Sequence, residues 1–275
     1  MRRRHLAAAL IVLLTIVLAL AWLFPLLWAL DTALKQEFQT IEAVPNWLPD
    51  PATLDGFVSV LTSGGLIGWY VNSMVVSALV TLATIALAAL AAYGFSQLRF
   101  RGRTALFWIF LASIMVPFES LVIPLFQFMS RLGLVNTYLG IILPQLTTPL
   151  AMFIFKRFFD QIPHEFREAA VLDGAGELQI LLRIYLPISG GIVSAVAIVV
   201  FIASWNNFLW PFLVITSPKM MTIPIGLTQV QSEFGVHNAS NMAMAILGGL
   251  PVALLYLLFQ NRVAQGFLAA TGLKG

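Results

Sequence analysis

Three carboxylates, Glu165, Glu168 and Asp173, border a low apolar surface made by Ala169, Ala170 and Leu172, in a stretch that opens at Pro163 and runs to Pro187. Small side chains let another protein approach closely, and the acids can meet basic groups at the rim of its groove, so the surface suits docking. Pro163 suits a first helical turn, the run to Leu172 holds good helix formers, and Gly174 can take the left-handed conformation that ends a helix. A helix, a tight turn and a second helix are therefore expected. The second piece, Glu177 to Leu186, is apolar almost all round and is expected in the membrane interface or against a bundle, with Pro187 closing it and Ser189 capping the next helix. The residues alone leave a rival open, because an amphipathic helix does not name its partner: the same loop can be an interfacial anchor.

Little else points to covalent chemistry. His5, His164 and His237 are scattered, and no carboxylate pair, histidine cluster or Ser-His-Asp arrangement stands out. The absence of cysteine removes disulfides, thiolate metal sites and thiol chemistry. No G-x-x-x-x-G-K-[ST] occurs, so the chain cannot cradle nucleotide phosphates in the usual P-loop.

The elements that position the docking stretch are set by composition. Of 275 residues 60% are apolar and 10% charged, against roughly 45–50% and 25% in soluble domains. The apolar residues fall into six blocks: Leu6 to Leu30, Val71 to Phe95, Thr104 to Phe128, Leu139 to Phe155, Ile188 to Leu213, and Met242 to Phe259. Runs of about 18 apolar residues cross a bilayer core of roughly 30 Å, and none alternates as a barrel strand would. The sequence thus predicts an all-α integral membrane protein with six transmembrane helices, read as a single domain over 1–275. With the N-terminus inside, Arg2, Arg3, Arg4, Arg99, Arg101, Arg103, Lys156, Arg157, Arg167, Arg183, Arg262 and Lys274 fall at inner ends and only Lys35, Arg131 and Lys219 outside. That bias places both termini in the cytoplasm. The net charge of +3 follows from this topology rather than from a nucleic-acid surface, which needs basic residues on one soluble face. Trp28, Trp69, Tyr70, Tyr138, Trp205 and Trp210 fall at the outer ends, where aromatic belts sit. A cleaved signal peptide is a rival for the first block, with basic Arg2 to Arg4 and the small-residue site Ala19-Leu20-Ala21; the apolar run through Trp22 to Leu30 favours a retained helix over 6–30. Two outer segments, Asp31 to Gly68 and Thr216 to Ser240, are long enough for caps or short helices.

The docking stretch resembles the EAA loop of the permease subunits of ABC importers: Glu168-Ala169-Ala170, then Asp173-Gly174-Ala175, then Ile184-Tyr185-Leu186-Pro187 match its anchors. Pro117, Pro124-Leu125-Phe126, Leu132-Gly133-Leu134, Asn136-Thr137-Tyr138-Leu139-Gly140, Leu143-Pro144, Trp205-Asn206-Asn207-Phe208-Leu209-Trp210-Pro211 and Gly272-Leu273-Lys274-Gly275 resemble the maltose-type, carbohydrate branch. The resemblance covers roughly 71–275. It implies the type I (MetI-like) importer fold, with 71–275 as permease core and 160–187 as the cytoplasmic coupling loop, in a bacterial inner membrane. It implies that Glu168, Ala169, Ala170, Leu172, Asp173 and Gly174 dock on a cytoplasmic ATPase dimer that carries the ATP and Mg, while this chain holds no cofactor. It also implies a second, non-identical permease, an extracytoplasmic solute-binding protein, a sugar substrate, surrounding lipid, and a Lys274-Gly275 tail near the ATPases; no nucleic acid is involved.

Such a permease would need a polar path for a neutral solute. Asn72, Gln127, Asn206 and Asn207 are candidates, since an amide offers sugar hydroxyls both donors and an acceptor; each equally suits helix-to-helix bonding. Glu119, the only acid within a central block, raises the alternative of an ion-coupled secondary transporter. A purely structural membrane protein with a partner dock is a third class, against which Pro144 and Pro149 argue mildly by breaking the fourth block.

Overall fold

The computed structural model describes residues 2–42, 46–62, 64–233 and 237–271, with side chains described over 10–42, 46–62, 64–229 and 237–260. Among the described residues fifteen α-helices follow one another: α1 (Arg2–Ala33), α2 (Glu37–Thr40), α3 (Asp55–Thr62), α4 (Leu66–Gln97), α5 (Arg103–Ala112), α6 (Phe118–Arg131), α7 (Tyr138–Ile142), α8 (Pro149–Phe159), α9 (His164–Leu172), α10 (Glu177–Ile180), α11 (Leu186–Ile188), α12 (Gly190–Trp205), α13 (Leu209–Val214), α14 (Ile223–Glu233) and α15 (Asn238–Thr271). Among the described residues there is no strand. The chain forms two compact units, Met1–Ile67 with Gly226–Leu250, and Gly68–Ile225 with Pro251–Gly275. The Lys274-Gly275 tail lies outside the described residues.

In the first unit, α1 exposes apolar side chains on every side, from Leu10 to Leu30, as a helix immersed in hydrocarbon does. It ends where polar groups take over. Lys35 pairs with Asp31 one turn back, and its Nζ donates to the Asn46 carbonyl at 2.6 Å. The Gln39 side chain donates to the Asp50 carbonyl. Gly56 of α3 lies so close to the carbonyls of Ala33 and Ala239 that a Cβ there would stand 3.1 Å from both.

Along the described residues the expected six helices resolve differently. Leu10–Ala33, Leu66–Gln97 and Asn238–Gln260 are each long and apolar enough to span a membrane alone. Three further spans exist only as bent pairs, Arg103–Met115 with Phe118–Arg131 at 100°, Tyr138–Gln145 with Pro149–Phe159 at 50°, and Glu177–Ile188 with Gly190–Trp205 at 85°. By length and composition the described residues therefore offer three candidate spans, or up to six if each bent pair is one. The expected continuous run Thr104 to Phe128 breaks because Pro117 drives Val116 into extended backbone, φ −83° and ψ 113°. Likewise Pro149 takes Thr148 to ψ 84°. The fifth block breaks twice: at Ser189, before the paired Gly190 and Gly191, and after Trp205, where Pro211 would clash with the Asn207 carbonyl in a continued helix. At 85° to α12, the α10–α11 segment runs across that span rather than along it. Ser189 stands at the N-cap of α12 as expected but makes no capping bond, because its hydroxyl donates to the Tyr185 carbonyl at 2.6 Å.

The motifs around Leu132 and Trp205 form one packed corner. Gly133, at φ 68°, ends α6 in a Schellman turn, with Leu134 N donating to Met129 O. Asn136, at φ 60°, receives the Thr216 and Ser217 amides on Oδ1, and its own N–H donates to Val214 O. Thr137 caps α7 by accepting from Gly140 N at 3.1 Å. Trp210, fully buried with Met129 and Val214, donates its indole N–H to Gly140 O at 3.0 Å.

This corner corrects the aromatic belt. Trp69, Trp205 and Trp210 are buried, at 9%, 2% and 0% exposure. A buried indole needs a partner for its N–H, and Trp69 finds Pro218 O at 3.3 Å as Trp210 finds Gly140 O. Trp28, by contrast, stays partly exposed and stacks with Phe24.

Candidate functional site

α9 is held in relief by its two ends. Pro163 stands just before it at φ −55° and ψ 136°, as the N-cap rather than within the first turn, so its missing N–H costs no helical bond. At the other end Gly174 adopts φ 82°, its N–H donates to Val171 O, and Ala175 N donates to Ala170 O. This Schellman turn satisfies carbonyls that a frayed end would leave bare. Between these stops Glu165, Phe166, Glu168, Ala169, Val171, Leu172, Asp173 and Gly174 are exposed, with Leu172 at 89%. Ala170 departs from the expected surface: it is 9% exposed and turned inward. Phe166 and Val171, which the sequence reading passed over, take its place among exposed apolar side chains.

Behind α9 lies a network that spacing alone did not suggest. The Arg167 guanidinium grips both oxygens of Glu177, with Nε 3.2 Å from Oε2 and Nη2 on Oε1. Tyr93, 4% exposed on α4, donates its hydroxyl to Glu177 Oε2 at 2.5 Å. A second bracket joins the foot of α4 to the start of α9. Ser96 Oγ donates to Asp160 Oδ1 at 2.7 Å, Gln97 Nε2 donates to Phe159 O at 3.2 Å, and Gln97 Oε1 lies 3.1 Å from His164 Nδ1.

The four amides proposed for a polar path separate. Asn72 is 5% exposed and fully used: Nδ2 donates to the Lys219 and Met221 carbonyls, both at 2.8 Å, and Oδ1 accepts from Tyr138 at 2.6 Å. It ties α4 to the segment before α14, the helix-to-helix role the sequence also allowed, and leaves no group for a solute. Asn206 is exposed and bonds back to Ile202 O of its own helix. Asn207 donates to Gln145 Oε1 at 3.0 Å, which brings together the breaks in the fourth and fifth blocks. Gln145 was missed, although an amide between Pro144 and Pro149 in an apolar block is a readable signal. Gln127 is exposed on α6. Glu119 is exposed in the first turn of α6, directly after the 100° bend, so it is not an acid enclosed by a continuous span. This arrangement lends the ion-coupled alternative no support. Among the described residues no cluster of three metal-ligating side chains occurs.

Residues 84–265 match the family model described as binding-protein-dependent transport system inner membrane component. The chain is 36% identical over 228 residues to an arabinooligosaccharides transport system permease protein of Halalkalibacterium halodurans, covering 82% of this chain and 81% of that one. It is 34% identical over 288 residues to a trehalose/maltose transport system permease protein of Thermococcus litoralis, covering 100% of each. An inner membrane ABC transporter permease protein of Escherichia coli is 33% identical, over 92% of this chain and 91% of that one. The fold matches a chain of a bacterial ABC transporter involved in the import of the acidic polysaccharide alginate, with a TM-score of 0.84 and 20% identity over 95% of this chain and 98% of that one. Matched in family over the stretch that contains α9 and in fold over nearly its whole length, the chain belongs to the binding-protein-dependent transport system inner membrane components, the non-catalytic permease subunits of ABC transporters.

Proposed function

We propose that this chain is one of two permease subunits of a sugar importer in a bacterial inner membrane, with six spans, both termini cytoplasmic, and α9 docked on a cytoplasmic ATPase. The observation that carries the reading is α9 itself: a short helix, stopped at both ends, presenting Phe166, Ala169, Val171 and Leu172 ringed by Glu165, Glu168 and Asp173. Such a face fits a groove with a basic rim. ATP and Mg belong to the ATPase dimer, and closure of that dimer would move α9 and rock the permease pair between inward-open and outward-open states. Residues 1–275 would act as one transmembrane domain with 71–275 as its core.

A sugar substrate is supported by the named solutes of the relatives, which include arabinooligosaccharides, trehalose and maltose. An extracytoplasmic binding protein is supported by the family description and by the solved alginate transporter in complex with a pentasaccharide-bound periplasmic protein. The second permease is taken as a non-identical homologue. Of the path candidates, Gln127, Asn206 and Asn207 stay in the reading, joined by Gln145; Asn72 leaves it.

Glu168→Lys places like charge at the basic rim. The expected outcome, read by affinity purification of this chain in mild detergent with mass spectrometry, is loss of most of the co-purifying P-loop ATPase with membrane insertion unchanged. ATPase retained in full would remove α9 as the dock.

A further inference from the structure

We propose that Arg167, Glu177 and Tyr93 form a positioning network that makes α9 and the membrane helix α4 move as one body, so that displacement of the docked helix reaches α4 through the Glu177 carboxylate. The inference rests on α9 being the ATPase dock.

α9 has nine residues, too few to be stable alone, and most of its surface is exposed. A helix so placed transmits force only if something holds its direction. A bidentate guanidinium–carboxylate pair fixes orientation as well as distance, which a single hydrogen bond does not. Arg167 makes that pair with Glu177 across the Gly174 turn. Tyr93 then joins the same carboxylate to α4. Tyr93 and Gln97 are four residues apart and share a face of α4, and Gln97 reaches His164 at the start of α9. Two attachments one helical turn apart fix α9 against rotation as well as separation.

The Tyr93 ring is itself clamped. It meets the fully buried Tyr185 edge to face at 5.1 Å, and Tyr185 meets Phe159 in the same manner at 5.3 Å. Tyr185 ends a π-helical turn, Leu181–Tyr185, that leads to the 85° bend before α12. Wide turns of this kind recur where helices must yield or act. The Tyr185 hydroxyl is buried without a hydrogen-bond partner among the described residues. The network therefore stands where the docking helix, α4 and the joint into α12 converge.

A staple that merely folds the loop would have the same bonds, so the test must separate positioning from assembly. The chain contains no cysteine, and Leu79, Leu82 and Ala86 are exposed on α4; each is replaced singly by cysteine in the whole transporter. Maleimide labelling rates are compared without nucleotide and after trapping with ATP and vanadate. The parent is expected to show a several-fold rate difference in at least one position. Glu177→Gln, and separately Tyr93→Phe, which deletes one hydroxyl and keeps the ring stack, should abolish that difference while the ATPase remains bound at parental stoichiometry. A difference that persists in both variants overturns the network. So does a parent whose α4 positions never respond, or loss of the ATPase from both variants, which marks a staple. A parental complex without ATPase would instead sink the docking reading.

Discussion

Gly174 is the residue on which the docking surface turns, and the reason is conformational rather than steric. A Cβ built there meets nothing within 4 Å, yet φ is 82°, a region where an L-residue costs about 1–2 kcal/mol and a β-branched one is an outlier. Gly174→Val should move the turn out of the left-handed region and release the bonds from Gly174 N to Val171 O and Ala175 N to Ala170 O. The rim formed by Asp173 and the Glu177 pairing behind it would then lose their register. We expect normal membrane insertion with ATP hydrolysis uncoupled from uptake, and a milder defect in Gly174→Asn, because asparagine tolerates this conformation better than valine. Uptake at the parental ratio to hydrolysis in Gly174→Val would show that the turn need not be left-handed.

Among the elements, α7 depends on a different glycine for the opposite reason. Gly140 has no positive φ, but a Cβ there would stand 2.1 Å from the Leu134 carbonyl oxygen and 3.3 Å from Val214 Cγ1. Backbone cannot yield as a flexible side chain does, so Gly140→Ala must push α7 off the turn and strain the Trp210 bond to Gly140 O. A cost of about 1–3 kcal/mol is expected, measured as a lower unfolding temperature of the purified chain in detergent. Gly133→Ala, with φ 68° but open space around it, should cost less; equal losses would mean that the contact with Leu134 relaxes freely. The two glycines also show what the sequence made legible. α9 could be read because its signals are local: Pro163, a helix-forming run and Gly174 within a dozen positions. The apolar blocks were visible for the same reason, as were the short helices of the two long connecting segments. What could not be read depends on distant partners. Tyr93 meets Glu177 from α4, Trp210 meets Gly140 from another helix, and burial of Trp69 and Trp205 turns the expected interface residues into core. Asn72 shows the same limit, since two backbone carbonyls of the segment before α14 take both of its donors. The breaks at Pro117 and after Trp205 had a local signal in their prolines, but apolar composition outweighed it.

For the whole molecule, the question is how many times the chain crosses, because a docking helix is useful only on the ATPase side. Between Gln161, exposed next to α9, and Lys219, exposed before α14, the chain offers one crossing, the pair Glu177–Ile188 with Gly190–Trp205. α12 has 16 residues, about 24 Å at 1.5 Å per residue, so with the short helix that follows it reaches across a core of roughly 30 Å. If it does, Gln161 and Lys219 face opposite sides; if the bent pair only dips and returns, they face the same one. The proposed topology corresponds to the first arrangement, with Lys156, Arg157 and Arg167 on the Gln161 side, where the positive-inside bias puts the cytoplasm. Lys219→Cys keeps the bond to Asn72, which uses the Lys219 carbonyl and not its side chain. With no native cysteine, each single variant gives a background-free readout. In intact cells a membrane-impermeant maleimide should label Lys219→Cys and leave Gln161→Cys unlabelled until the membrane is permeabilised. Labelling of both from outside would make the last pair re-entrant and reduce the spans below six. The reverse pattern would place α9 outside the cell, where no cytoplasmic ATPase can reach it.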